Sequence, residues 1–185
     1  MCGGPGLIVR RLAPYLGLLG AVVLLDQATK AAIVRSFELH EYRPIIDGFL
    51  SLSHVRNRGA AFGILSNADL PYQPVLLSAL SIAALLAIAY YFVRLPPSAR
   101  LPRLALALVL GGAVANLIDR VRLGYVVDFV HVFWREHAWP DFNVADSAIT
   151  VGVVLLILDI LRESRAENPE GPGIDAATPT PERID

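Results

Sequence analysis

Four long apolar stretches dominate the chain, and each approaches the length of a helix that crosses a membrane. They cover about residues 12–34, 74–93, 101–121 and 145–161. A membrane-crossing helix needs roughly 20 mostly apolar residues. Asp26 and Lys30 interrupt the first stretch, whereas the second contains no charged residue. The pattern predicts a mainly α, polytopic membrane protein with four transmembrane helices.

The segment between the first two stretches has a different pattern. Residues 41–65 contain no long apolar run, and apolar and polar positions partly alternate between glycines. This pattern is typical of short strands. We therefore expect a small extracytoplasmic β-rich element at the outer surface of the membrane.

Arginines in the loops predict the orientation of the helices. The short loop between the second and third stretches contains Arg94, Arg100 and Arg103 and no acidic residue. An excess of Lys and Arg marks cytoplasmic loops. Four spans then place both termini in the cytoplasm, and residues 35–73 and 122–144 on the outer side.

Composition agrees with a membrane protein and separates a tail from it. Hydrophobic residues make up 55% of the chain, above the roughly 45–50% of soluble domains. Residues 166–185 contain five acidic residues, four prolines and one arginine, a composition that does not form a core. The sequence predicts one membrane-embedded domain at 1–165 and a disordered cytoplasmic tail at 166–185.

Four aspartates converge on one membrane level if the spans are helical. Counting about 1.5 Å per residue places Asp26 and Asp119 near the outer boundary of their spans. Asp146 begins the fourth span, and Asp128 lies nine residues beyond Asp119 on the outer side. Ionisable groups at membrane depth are costly and usually functional. We therefore expect a polar site near the outer face.

Several residues near this level have spacings that indicate a structural role, either in an ion pair or in helix packing. Asp26 and Lys30 are four apart, which favours an ion pair on one helical face. Gly111 and Gly112 precede Ala115 and Asn116 by four residues, and small residues at this spacing allow close helix packing in membranes. Support of this kind is expected from Asp26, Lys30, Asp119, Gly111, Gly112 and Ala145.

The third span also presents polar side chains to one side. Asn116, Asp119 and Arg120 are spaced i, i+3 and i+4. The planar guanidinium of Arg120 suits substrate carbonyls or a carboxylate. A lipid headgroup or Asp119 is an equally suitable partner, and the sequence leaves these alternatives open.

Asp128 and Asp146 carry the candidate chemistry. Asn143 before the fourth span is a good N-cap, and Asp146 suits its first turn. Capping does not explain a second carboxylate, Asp128, at the same level. Two carboxylates that share a site hold one proton between them, so the pair can act as acid and base on an attacking water. This is the aspartic-protease mechanism, and it requires neither metal nor cofactor.

Competing chemistries have weaker signals. The four histidines are scattered and form no HExxH motif. Asp128 and His131 could share a metal on a helix, but no further ligands complete that site. The chain has no P-loop or GxSxG motif, and no nucleic-acid partner is expected. A small transporter that uses buried carboxylates as a proton relay remains the main alternative, followed by a membrane scaffold.

Four motifs in order carry a resemblance to a known family. They are "DQATK" at 26–30, "NRGAAFGIL" at 57–65, "GGAVANLIDRVRLGYVVDFV" at 111–130 and "FNVADSAI" at 142–149. The chain resembles the lipoprotein signal peptidase, or signal peptidase II, family over residues 12–161. One departure is Ala115, where the family often has glycine.

The resemblance implies an aspartic endopeptidase of the bacterial inner membrane, with its site near the extracytoplasmic face. Such an enzyme removes the signal peptide of diacylglyceryl-modified prolipoproteins, before the lipidated cysteine. Asp128 and Asp146 match the catalytic pair. The resemblance also implies lipidated prolipoproteins and membrane lipids as partners, and a monomer. The residues that match site-lining or substrate-binding positions are Asn57, Gly59, Asn116, Arg120 and Asn143.

Overall fold

Four long helices account for most of the structure, a computed structural model that describes residues 5–59 and 72–167. They are α1 (Pro5–Ser36), α2 (Gln73–Arg94), α3 (Arg100–Leu123) and α4 (Val144–Glu167). All four are long and apolar enough to cross a membrane, over Arg10–Ser36, Val75–Arg94, Arg100–Leu123 and Val144–Ser164. The four predicted helices are present, and their apolar ranges lie within three residues of the predicted spans. The protein is a mainly helical, multi-pass membrane protein.

Helix α3 lies at the centre of the helical bundle. It packs against α1, α2 and α4. In the most apolar stretch of α3, 56% of the residues are buried, compared with 11% in the corresponding stretches of α2 and α4. A helix that is apolar all round is either buried or faces lipid. The helices around α3 therefore present their apolar surfaces to the membrane.

Glycines allow α3 to approach its neighbours closely. A Cβ atom on Gly111 would lie 3.1 Å from the carbonyl oxygen of Leu19 in α1. A Cβ on Gly112 would clash with the carbonyl oxygen of Ala145 in α4 and lie 2.8 Å from Ile149 Cγ1. The predicted small-residue packing is confirmed, and the two adjacent glycines contact two different helices. Ala115 is fully buried, so its methyl group fits within this packing.

A small antiparallel sheet completes the described structure. Its strands are β1 (Tyr42–Ile46), β2 (Leu50–Asn57), β3 (Val126–Trp134) and β4 (His137–Ala138), in that spatial order. The predicted β-rich element is confirmed where it is described. The rest of 41–65, from residue 60 onward, lies outside the described residues, as does the predicted tail from residue 168.

Strand β3 was not predicted, although it carries Asp128. It pairs with β2 so that Val55 is opposite Asp128 and Asn57 is opposite Val126. The link between β3 and α4 returns along the strand, where Val130 bridges Phe142. The sheet therefore places Asp128 beside Asn57 and close to the start of α4.

Candidate active site

Asn143 and Asp146 form a reciprocal cap at the start of α4. Asn143 Oδ1 accepts a hydrogen bond from the Asp146 backbone amide at 2.9 Å, and Asp146 Oδ2 accepts one from the Asn143 amide at 3.3 Å. This is the geometry of a capping box, so the predicted N-cap is confirmed. The other carboxylate oxygen of Asp146 accepts a bond from Asn116 Nδ2 at 2.9 Å.

Asn143 also connects Asp146 with Asp128. Asn143 Nδ2 donates to Asp128 Oδ1 at 2.6 Å, while Asn57 Nδ2 donates to Asp128 Oδ2 at 2.9 Å. Asp128 is only 1% exposed. Two aspartates that are 18 residues apart in sequence thus share one side-chain amide.

The carboxyl group of Asp128 has a strongly shifted pKa. Burial, and after it the negative charge of Asp146, raise the pKa of Asp128 to about 7. The hydrogen bonds from Asn57 and Asn143 lower this pKa, and so does the charge of Lys30. A carboxyl group with such a pKa can both hold and release a proton near neutral pH, which suits acid–base chemistry.

A buried ion cluster lies against this pair. Lys30 Nζ is 2.8 Å from Asp26 Oδ2 and 2.9 Å from Asp119 Oδ2, and it donates to Asn116 Oδ1 at 2.9 Å. The predicted pair of Asp26 and Lys30 is thus present in the structure. Asp119, from α3, forms the third member of the cluster.

Arg120 does not contact Asp119, one of the partners considered for it. Asp119 accepts bonds from Gln27 and from the Val127 amide, whereas Arg120 Nη2 is 3.5 Å from the carbonyl oxygen of Gly59. Arg120 also lines a cavity. The polar side of α3 is therefore divided between the ion cluster and the cavity.

The cavity has a volume of about 930 Å³ and lies between α2 and α4. Asp146 lines it, whereas Asp128 lies behind Asn57, which also lines it. The residues that the helices contribute are mostly apolar or small and include Leu77, Leu80, Ser81 and Ala84 of α2 and Ile149 and Val151 of α4. The site thus combines an apolar groove with a carboxylate pair at its wall.

Two features of the site were missed in the sequence. Gln27 Nε2 donates to Asp119 Oδ1 at 2.9 Å and to the Ala115 carbonyl at 3.3 Å, which joins α1 to α3. Its polarity within the first apolar stretch was the available signal. The segment from Trp139 to Phe142 also lines the cavity, and only its aromatic residues could have indicated this.

The possible metal pair of Asp128 and His131 does not form. The two residues are three apart in β3, so their side chains point to opposite faces of the strand. His131 Nδ1 lies 3.2 Å from Asp141 Oδ1 instead. Across residues 5–59 and 72–167, no group of three or more His, Cys, Asp or Glu side chains is arranged to bind a metal ion.

Comparisons with known proteins identify relatives over most of the chain. Residues 18–162 match the family described as Signal peptidase (SPase) II. The chain is 50% identical over 152 residues to the lipoprotein signal peptidase of Geobacter sulfurreducens, covering 82% of this chain and 93% of the relative. It is 48% identical over 146 residues to that of Geobacter metallireducens, covering 79% and 89%.

Solved structures show the same fold. A bacterial membrane enzyme determined by the in meso method at 2.3 Å resolution matches with a TM-score of 0.77 and 31% identity. The match covers 86% of this chain and 94% of that one. A second bacterial membrane enzyme, at 1.9 Å resolution, matches with a TM-score of 0.73 and 33% identity.

The fold and the site together define a multi-pass membrane protein with a polar site at one end of its helices. The chain belongs to the signal peptidase II family, the lipoprotein signal peptidases, and it is therefore a protease.

Proposed function

We propose that this protein is an aspartic endopeptidase that removes the signal peptide from diacylglyceryl-modified prolipoproteins by cleaving before the lipidated cysteine. The observation that carries this proposal is the link through Asn143 between Asp128 and Asp146, beside an apolar cavity of about 930 Å³. Membership of the lipoprotein signal peptidase family supports the choice of substrate.

In the proposed mechanism the two carboxylates share one proton. Asp146 lines the cavity and, as carboxylate, takes a proton from water as the water oxygen bonds to the scissile carbonyl carbon. Asp128 gives its proton to the carbonyl oxygen, a step that requires the Asn57 side chain between them to move aside. The tetrahedral intermediate then collapses: the C–N bond breaks, Asp146 returns its proton to the leaving nitrogen, and Asp128 regains the other.

The size and lining of the cavity suit a helical signal peptide. Leu77, Leu80 and Ala84 of α2 form an apolar wall, so a signal peptide can lie between α2 and α4 while the diacylglyceryl chains remain in the bilayer. Arg120 lines the same cavity, and its guanidinium is suited to bind peptide carbonyls. Asn57 and Gly59 adjoin Asp128 and Arg120, so they act as substrate-binding residues in this proposal.

The protein is proposed to lie in the bacterial inner membrane with both termini in the cytoplasm and its site near the extracytoplasmic face. Arg94, Arg100 and Arg103 support this orientation, because they lie at the ends of α2 and α3 that are remote from Asp128. The protein is proposed to act as a monomer surrounded by membrane lipids. Residues 1–165 form the proposed membrane-embedded domain.

A cleavage assay with matched substrates tests the proposal. Purified protein in detergent is incubated with a prolipoprotein in its diacylglyceryl-modified form and with the same precursor without lipid. We expect a shorter product only from the lipidated form, with the modified cysteine at its new N-terminus by mass spectrometry. Cleavage of both precursors at equal rates would contradict the proposed substrate, and absence of product from folded protein would contradict the function.

A further inference from the structure

The buried ion cluster contacts the backbone on both sides of the proposed catalytic pair. On the α4 side, Asp26 Oδ1 accepts a hydrogen bond from the backbone amide of Ala145 at 2.9 Å. Ala145 immediately precedes Asp146 and is fully buried, as is Asp26. Asp26 therefore fixes the backbone from which Asp146 projects.

An equivalent contact exists on the β3 side. Asp119 Oδ2 accepts a hydrogen bond from the backbone amide of Val127 at 3.2 Å, and Val127 immediately precedes Asp128. Both Asp119 and Val127 are buried. Asp119 therefore fixes the backbone beside the second aspartate in the same way.

Lys30 joins these two anchoring carboxylates. Its ammonium group has three protons and no acceptor site, and it meets three acceptors: Asp26 Oδ2, Asp119 Oδ2 and Asn116 Oδ1, all within 2.9 Å. Lys30 is only 3% exposed. One side chain of α1 thus connects the backbone anchors of both proposed catalytic residues.

The contact of Lys30 with Asn116 also determines which way that amide points. Asn116 Oδ1 accepts from Lys30 and, at 3.3 Å, from Asn143 Nδ2. Two donors on one side require the oxygen there, so Nδ2 must face Asp146, to which it donates at 2.9 Å. Turning the amide over would place its NH₂ group against an ammonium and would remove the donor from Asp146.

We propose that Lys30 is a positioning residue of the protease: it connects the two carboxylates that anchor the backbone beside Asp128 and Asp146, and it orients Asn116 so that its amide donates to Asp146. This role rests on the proposed aspartic mechanism and deepens it.

The charges around the pair predict the direction in which a change at Lys30 acts. Within residues 5–59 and 72–167, the charged groups that act on the two aspartates are Lys30 and Asp26 from α1 and Arg120 from α3. Asp119 of α3 adds a negative charge next to Asp128, at the Val127 amide, whereas Asn57, from the sheet, is uncharged. The positive charge of Lys30 lowers the pKa of Asp128. Replacing Lys30 with a neutral residue should therefore raise that pKa and move the alkaline limb of the pH–rate profile to higher pH.

The test compares Lys30→Met with Arg103→Met, which also replaces a buried cation with methionine. Arg103 is 7% exposed and donates to the Leu95 carbonyl at the opposite end of α3. For Lys30→Met we expect kcat to fall roughly 10- to 100-fold through misplacement of the pair, with KM nearly unchanged and the alkaline limb moved upward. Arg103→Met should keep the wild-type limb and kcat even if its melting temperature falls.

A second variant tests the same idea if Lys30→Met does not fold. Asp119→Asn keeps an oxygen for the Val127 amide and for Lys30, and it loses only the hydrogen bond from Gln27, whose amide stays in place because it also donates to the Ala115 carbonyl. It removes a negative charge, so the alkaline limb should move to lower pH. An unmoved limb in whichever of these two variants folds would overturn the role of Lys30. Cleavage by Asp128→Asn would instead overturn the aspartic mechanism itself.

Discussion

Asn143 performs two tasks with one side-chain amide. Its oxygen caps α4 through the Asp146 amide, and its nitrogen donates to Asp128. The capping role could be predicted from sequence, because Asn before an apolar helix is a local signal. The contact with Asp128 could not, because it depends on where β3 places that residue. At the residue scale, therefore, the sequence predicts which residues form the site better than it predicts what each one contacts.

Substitutions at Asn143 should separate these two tasks. Asn143→Ala removes both the cap and the donor, so we expect stability to fall by about 1 kcal/mol and kcat to fall by at least about 100-fold. Asn143→Ser restores a good cap without the donor, so stability should recover while kcat stays low. Thermal melting and single-substrate kinetics check this. Recovery of activity together with stability in Asn143→Ser would show that only the cap matters.

The raised pKa of Asp128 predicts how stability depends on pH. In the unfolded chain Asp128 ionises near its ordinary value of 3.8, whereas in the folded protein its pKa is about 7. The folded state therefore binds more protons between these values, and stability falls as pH rises through this range, until it levels off above about 7. Asp128→Asn removes this dependence.

Melting temperatures at pH 5 and pH 8.5 measure this effect. We expect the wild type to lose several degrees more than Asp128→Asn between these two pH values. Asp47→Asn, a substitution at an exposed residue that follows β1, should behave like the wild type. Equal slopes for wild type and Asp128→Asn would show that Asp128 has an ordinary pKa.

The helices and the sheet differ in how far their sequences predict them. A membrane span requires about 20 apolar residues whatever its neighbours are, so all four helices are visible locally. Strand β3 is not visible in this way: its run "VVDFVHVFW" has no regular alternation, and its register is set by β2, about 70 residues earlier. Pairing over such a distance does not appear in a local pattern.

The close contact between α3 and α4 predicts that an alanine at Gly112 affects cleavage activity as well as stability. Gly112→Ala would push a methyl group against the Ala145 carbonyl and Ile149, beside Asp146. Gly152→Ala produces a similar clash 2.6 Å from the Ala105 carbonyl, but six residues farther along α4 from Asp146. Overpacking of this kind costs about 1–3 kcal/mol.

We expect both alanine variants to melt at lower temperature, and only Gly112→Ala to lose cleavage activity by about tenfold or more. Melting curves and cleavage rates at a temperature where both variants are folded provide the comparison. Equal activity losses would mean that the effect on Gly112 is global destabilisation and not displacement of Asp146.

At the scale of the whole molecule, the ionic groups of the site occur at one end of a lipid-facing bundle. Helical rise alone predicted that Asp26, Asp119 and Asp146 would reach one level, and the contacts through Lys30, Asn116 and Ala145 bear this out. The cavity between α2 and α4 could not be predicted, because it depends on how helices pack around α3. Sequence thus predicts depth along a helix, while the gap between two helices requires the structure.

The most direct measurement is cleavage of a lipidated prolipoprotein by wild type, Asp128→Asn and Asp146→Asn, with Asp47→Asn as the matched control and a chelator in a parallel reaction. If the two aspartates form the catalytic pair, both variants remain folded and give no product, while Asp47→Asn and chelator-treated wild type cleave normally. Normal cleavage by either Asp128→Asn or Asp146→Asn would contradict the two-aspartate mechanism.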